Sequence, residues 1–206
     1  MIAPMLIDRP RGKARATLVL AHGAGAPMDS PFMTTIANGL AARAVTVVRF
    51  EFPYMAARRE GSRPPPNRMP VLEASFRAVV AALPRTKRLF VGGKSMGSRV
   101  AIQLADELQA RGAISLGYPF HPPKQPTKLR CDPLVAMRAP CLIVQGTRDP
   151  LGSPSEIASY ALPDHVELHW LVDGDHSFEP RKSSGRTLEQ NLSEAIDAVV
   201  AFMAAH

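Results

Sequence analysis

The stretch Val91-Gly92-Gly93-Lys94-Ser95-Met96-Gly97-Ser98-Arg99 constrains this chain more than any other. A short apolar run, Leu89-Phe90-Val91, precedes it. A helical pattern with Val100, Ala101, Leu104 and Leu108 on one face follows. A serine therefore sits where a strand turns abruptly into a helix, with glycines two residues before and two residues after it. A turn that tight needs a strained backbone, and Cβ atoms at the flanking positions would collide. It exposes the serine hydroxyl and sets the unpaired N–H groups of the next helix beside it. The Gly-x-Ser-x-Gly pattern is common by itself. Strand before and helix after make it the signature of a nucleophile.

The rest of the chain alternates in the same way. Residues 5–7 read as an edge strand and 17–21 as a buried strand ending in His22-Gly23-Ala24-Gly25. Ser30 and Pro31 read as the N-cap and first position of a helix striped by Phe32, Ile36 and Leu40. Strands follow at 45–50, 113–116, 141–145 and 166–172. Residues 53–70 and 118–140 read as proline-rich loops. Leu72, Phe76, Val79, Val80 and Leu83 mark a helix between the first of these loops and the serine turn. Ser153-Pro154-Ser155-Glu156, and Thr187 with Gln190, have capping-box spacing. The second box opens a last helix carrying Leu192, Ile196, Val199 and Met203. Strands alternating with helices predict an α/β fold, with a mostly parallel sheet of six or seven strands covered on both faces. Residues 1–206 read as a single domain.

In such sheets the site lies beyond the carboxyl ends of the strands. His22, Ser95, Asp149 and His176 each fall just past a strand end. Serine is a weak nucleophile that needs an adjacent base, and the base needs a carboxylate to orient it. The expected set is Ser95 as nucleophile, His176 as base and Asp149 as orienting acid. Asp173 and Asp175 lie too near His176 in sequence to reach round it. His121 is a candidate for the pocket lining, and His165 and His169 belong to the last strand region. His22 is expected to brace its own loop. The developing oxyanion needs two backbone donors. These are expected to be the N–H of Met96 and that of Ala24, with Gly25 the alternative.

The formal charge of +7 raises the question of a nucleic-acid partner. The arginines are scattered, and no zinc spacing, phosphate-binding glycine loop or RNA-binding signature occurs, so no nucleic-acid partner, metal or cofactor is expected. No apolar run is long enough to cross a bilayer. The first residues do not read as a secretion signal, and two cysteines do not make a disulfide framework. The expected location is the cytoplasm. The sequence is silent on oligomeric state.

The motifs His22-Gly23-Ala24-Gly25, Phe52-Pro53-Tyr54-Met55, Gly92 to Gly97, Gly117-Tyr118-Pro119-Phe120-His121-Pro122, Gly146-Thr147-Arg148-Asp149 and Asp173 to His176 together resemble the small, capless α/β-hydrolases. They are similar to dienelactone-hydrolase-like proteins, and more closely to the group containing a chromatin-complex regulatory subunit and a testis-expressed protein. The chain order Ser95, Asp149, His176 matches the order of that fold. The resemblance implies a cofactor-independent serine hydrolase acting on a small-molecule carboxylic ester or thioester through an acyl-enzyme. The alternatives are a peptidase or amidase with the same triad, and a non-catalytic interaction protein on a hydrolase scaffold. Dienelactone hydrolases proper carry cysteine where Ser95 stands, so their substrate is not implied. Lys94 is unusual for esterases, and Asp106 and Glu107 are its candidate partners.

Two expectations concern the surroundings of Ser95. The stretch 117–140, where lids usually enter, is too short for a helical lid with its own core, so the site should be shallow and open. Arg58, Arg59, Arg63 and Arg68 start from the active-site end of a strand. If they face the cleft, they favour anionic substrates through carboxylate or phosphate contacts. Tyr118, His121, Arg58 and Arg59 are thus the candidate substrate-lining residues.

Overall fold

The computed structural model describes residues 4–206. Seven strands form one sheet: β1 (Met5–Asp8), β2 (Ala16–Ala21), β3 (Val45–Phe50), β4 (Leu89–Lys94), β5 (Ala113–Leu116), β6 (Cys141–Gly146) and β7 (Val166–Leu171). Their order is β1-β3-β2-β4-β5-β6-β7. Only β1, the edge strand, runs antiparallel. The chain winds outward from β2 to β3 and then returns to the other side of β2 to make β4. The order reverses between β2 and β4, and a crevice opens there beyond their carboxyl ends.

Strand residues alternate between two cores. Val19, Ala21, Val48 and Val91 face α3 (Met69–Ala81) and α4 (Met96–Leu104), meeting Leu72, Phe76, Val100 and Leu104. Leu18, Leu20, Val47 and Phe90 face α1 (Pro31–Ala42) and α7 (Leu188–Ala205), meeting Met33, Ile36, Leu40 and Ile196. Burial on both faces explains why β2 and β6 read as nearly continuous apolar runs rather than alternating ones.

Two segments read as loops contain helices. Residues 53–59 form α2 (Pro53–Arg59), and 132–136 form α5 (Asp132–Ala136). Both begin at a proline in the first helical positions, as do α1, α3 and α6 (Pro154–Ile157). Proline costs no hydrogen bond there and its fixed φ suits the helix, so a proline-rich stretch can announce a helix start as well as a loop. The second box, at Thr187 and Gln190, is reciprocal, with bonds of 2.9 and 3.2 Å. Ser153 and Glu156 also pair at the start of α6. Ser30 occupies the N-cap of α1 without a side-chain capping bond. The segment between β5 and β6 adds only the short α5, and among the described residues no inserted helical lid roofs the sheet.

The turn after β4 is as tight as the sequence requires. Ser95 has φ 51° and ψ −112°, far from either regular region. A Cβ on Gly93 would lie 2.4 Å from the Gly97 carbonyl carbon. A Cβ on Gly97 would lie 2.6 Å from the carbonyl oxygens of both Ala21 and His22. Both glycines are dictated by backbone against backbone, which cannot yield as a side chain does. Gly97→Ala is expected to lower the unfolding free energy by about 2–3 kcal/mol. The urea midpoint should fall at unchanged slope; an unaltered midpoint would show that the turn relaxes freely.

Candidate active site

The expected residues converge at the crevice between β2 and β4. Ser95 follows β4, Asp149 follows β6 and His176 follows β7. Ser95 Oγ lies 2.8 Å from His176 Nε2, and His176 Nδ1 lies 2.7 Å from Asp149 Oδ2. An ionised carboxylate only accepts, so Nδ1 carries the proton and Nε2 is left as the acceptor facing the serine hydroxyl. Asp149 is fully buried. Besides His176, it accepts from Leu151 N–H at 2.8 Å and from Gln145 Nε2 at 2.9 Å. Gln145 is buried on β6, and its Oε1 accepts from Tyr118 N–H. Its amide is thereby fixed with the donor toward Asp149. The neighbouring acids are engaged elsewhere. Asp173 accepts from Arg181, and Asp175 accepts from the N–H groups of Ser177 and Glu179.

The loop after β2 supplies the other wall. His22 is buried, and burial lowers its pKa, keeping the imidazole neutral. Its Nδ1–H donates to Gly23 O at 2.7 Å and its Nε2 accepts from Phe52 N–H at 3.1 Å. His22 therefore braces the loop, as expected of it. The Tyr54 hydroxyl lies 3.1 Å from Gly23 O and 3.0 Å from Ala24 O, so the loop's carbonyls are turned back into the protein. Among the described residues, the N–H groups of Ala24, Gly25 and Met96 donate to no protein acceptor. Met96 is the first residue of α4, where a helix has no internal acceptor to offer. Ser98 Oγ donates to Ser95 O at 2.7 Å and secures the turn from below.

A cleft of about 370 Å³ opens over Ser95 and His176, walled by Ala24, Gly25, Phe32 and Met33. Four expected lining residues lie elsewhere. Tyr118 is fully buried, packs on Phe120 and donates its hydroxyl to Arg130 O at 2.8 Å. Its apolar ring is held in the core because a backbone carbonyl satisfies its hydroxyl there. His121 is buried too, bonded to Pro122 O and 3.4 Å from the Glu156 carboxylate. Arg58 donates to Pro64 O and lies over the Tyr54 ring. Arg59 grips the fully buried Glu51 carboxylate at 2.6 and 2.7 Å and also binds Asp29. The arginines leave the cleft because α2, unforeseen in the sequence, carries them toward these partners. Lys94 does line the cleft, and neither expected partner reaches it. Asp106 accepts from the N–H groups of Arg138 and Ala139, and Glu107 pairs with Arg77.

Residues 14–204 match the model of a family described as an alpha/beta hydrolase domain. The chain belongs to this family. Its fold is also close to solved structures of low sequence identity. An α/β serine hydrolase without a lid from Xanthomonas campestris is 22% identical, with 96% of this chain and 87% of that one covered at a TM-score of 0.73. A dienelactone hydrolase from Anabaena variabilis is 19% identical, with coverages of 98% and 91% and a TM-score of 0.72. Est1E from Butyrivibrio proteoclasticus is 15% identical, with coverages of 98% and 94% and a TM-score of 0.71.

Tyr54, Ser98 and Gln145 were not singled out individually in the sequence. Tyr54 falls within the motif Phe52-Pro53-Tyr54-Met55, and Gln145 is the one polar residue of the apolar run 141–145, which is a usable signal. The geometry of Arg59 yields a prediction for the hydrolase fold. Arg59→Ala should cost about 2–3 kcal/mol of stability by leaving the Glu51 carboxylate buried and unpaired. It should leave unchanged any preference of the cleft for anionic over neutral ligands. A changed charge preference at unchanged stability would return Arg59 to the cleft.

Proposed function

We propose that the protein is a serine hydrolase cleaving small carboxylic esters or thioesters through an acyl-enzyme. The observation that carries this reading is the hydrogen-bonded chain Ser95–His176–Asp149 at the floor of an open cleft. Ser95 Oγ attacks the acyl carbon while His176 Nε2 takes its proton. Asp149 holds the resulting imidazolium, and the N–H groups of Met96 and Ala24 receive the charge that develops on the carbonyl oxygen. The proton on Nε2 then passes to the leaving group. Water, deprotonated by the same nitrogen, releases the acid and restores Ser95.

The cleft's volume is at the small end for ligand sites, and its apolar wall at Phe32 and Met33 suits a short acyl chain. The absence of an inserted lid supports the same choice. Lidless and esterase structures among the fold's neighbours are consistent with it.

The expected outcome is hydrolysis of p-nitrophenyl acetate and butyrate, with the rate falling for long acyl chains. Ser95→Ala and His176→Ala should each reduce kcat by about 10⁴-fold or more, and Asp149→Asn by about 10⁴-fold. A folded wild-type protein that hydrolyses none of a broad ester and thioester panel would contradict the proposal. So would a Ser95→Ala variant that retains wild-type turnover.

A further inference from the structure

The proposed mechanism leaves one charged side chain beside its base without a role. Lys94 ends β4, and its Nζ donates to the main-chain oxygen of His176 at 2.6 Å. The ammonium stands 5.6 Å from the centre of the Phe32 ring and 5.9 Å from that of Phe178. A Cβ on Gly117, a residue with φ 73°, would come within 2.9 Å of Nζ and 3.4 Å of His176 Cε1. The backbone just after β5 is thus bare where the ammonium and the imidazole pass. Among the described residues no carboxylate is hydrogen-bonded to Nζ, and Asp149 and Asp175 act on it only through longer-range attraction. Burial outweighs that attraction and pushes the Lys94 pKa down to about 8.

A half-buried ammonium without a bonded carboxylate is unfavourable, and an unbranched thioether would fill a slot between two aromatic rings with no charge to desolvate. Such a cost tends to persist where a site needs it. The loop carrying His176 is tied to the end of β6 by Arg148, which donates to Asp173 O, and by Thr147, which accepts from Asp173 N–H. Those bonds set the loop against the strand of the acid. Lys94 ties it to the strand of the nucleophile. Among the described residues, the other hydrogen bond joining the loop to the serine turn is the one between His176 and Ser95 itself.

We propose that Lys94 is a positioning residue: its ammonium pins the His176 main chain to the strand that carries Ser95 and so fixes the reach of the imidazole to the serine hydroxyl. This rests on the proposed roles of Ser95 and His176. A charge-assisted bond holds about twice as strongly as a neutral one, so the pin weakens when Lys94 loses its proton. The ionisable groups facing it are Asp149 after β6, and Asp175 and His176 after β7. From α1 it meets the uncharged Phe32.

The test is the second-order rate at which a fluorophosphonate probe labels Ser95, measured between pH 6.5 and 10 on wild type and Lys94→Met, together with melting temperature. The wild-type rate should fall through about pH 8. The Met variant should melt no earlier than wild type, label about 10- to 100-fold more slowly at pH 7 and show no fall near pH 8. A Met variant that melts earlier but labels at the wild-type rate per folded molecule overturns the proposal, because Lys94 is then structural. A wild-type rate that stays flat from pH 7 to pH 10 overturns it without any variant. Wild type that fails to label at Ser95 defeats the triad reading itself. Labelled wild type with an equally fast Met variant defeats only the role of Lys94.

Discussion

Everything at this site hangs from a backbone conformation that a serine does not choose freely. Ser95 is held at φ 51° by close contact between the two glycines flanking it and the neighbouring backbone. Gly97 touches the end of β2, so the serine turn and the loop that follows β2 are packed as one unit. A shift in either moves the other. The same contact sets the loop of Ala24 beside the serine turn, and both line one cleft. The sheet does the remaining work, since β6 and β7 end at the same level and deliver Asp149 and His176 from their own loops.

Much of this was legible in the sequence because its causes are local. A glycine two residues either side of a serine, an apolar run before and a helical stripe after are readable without a neighbour in space. So were the strands, since burial on both faces writes continuous apolar runs. The edge strand expected at residues 5–7 is present as Met5–Asp8, while its antiparallel direction, fixed by pairing with β3, was not legible. The errors arose where distant partners decide. Arg58 and Arg59 looked free to face the cleft until α2 and the buried Glu51 were seen to claim them. Tyr118 looked available until its hydroxyl was found on Arg130 O. Proline misled because it serves loops and helix starts equally well.

The charges near the site follow one pattern. Asp149 is satisfied from three directions, His22 is kept neutral, and Arg59 is spent on Glu51 and Asp29. Each is fixed by groups within the protein, which leaves few charges free to reorganise when a substrate enters. Preorganised dipoles of this kind act without reorganisation cost as charge develops. Tyr54 and Gln145 extend the arrangement outward. One turns the carbonyls of the loop after β2 away from the cleft, and the other directs a donor at the acid.

The central claim is that Ser95, activated by His176, becomes acylated. Its most direct test is mass spectrometry of protein quenched in acid moments after mixing with excess p-nitrophenyl acetate. Wild-type protein should carry one acetyl group, located by peptide mapping on Ser95, formed in a burst of p-nitrophenol that precedes steady turnover. His176→Ala should show neither burst nor adduct. Steady ester turnover with no acetyl group on Ser95, or with the adduct on another residue, would contradict the account.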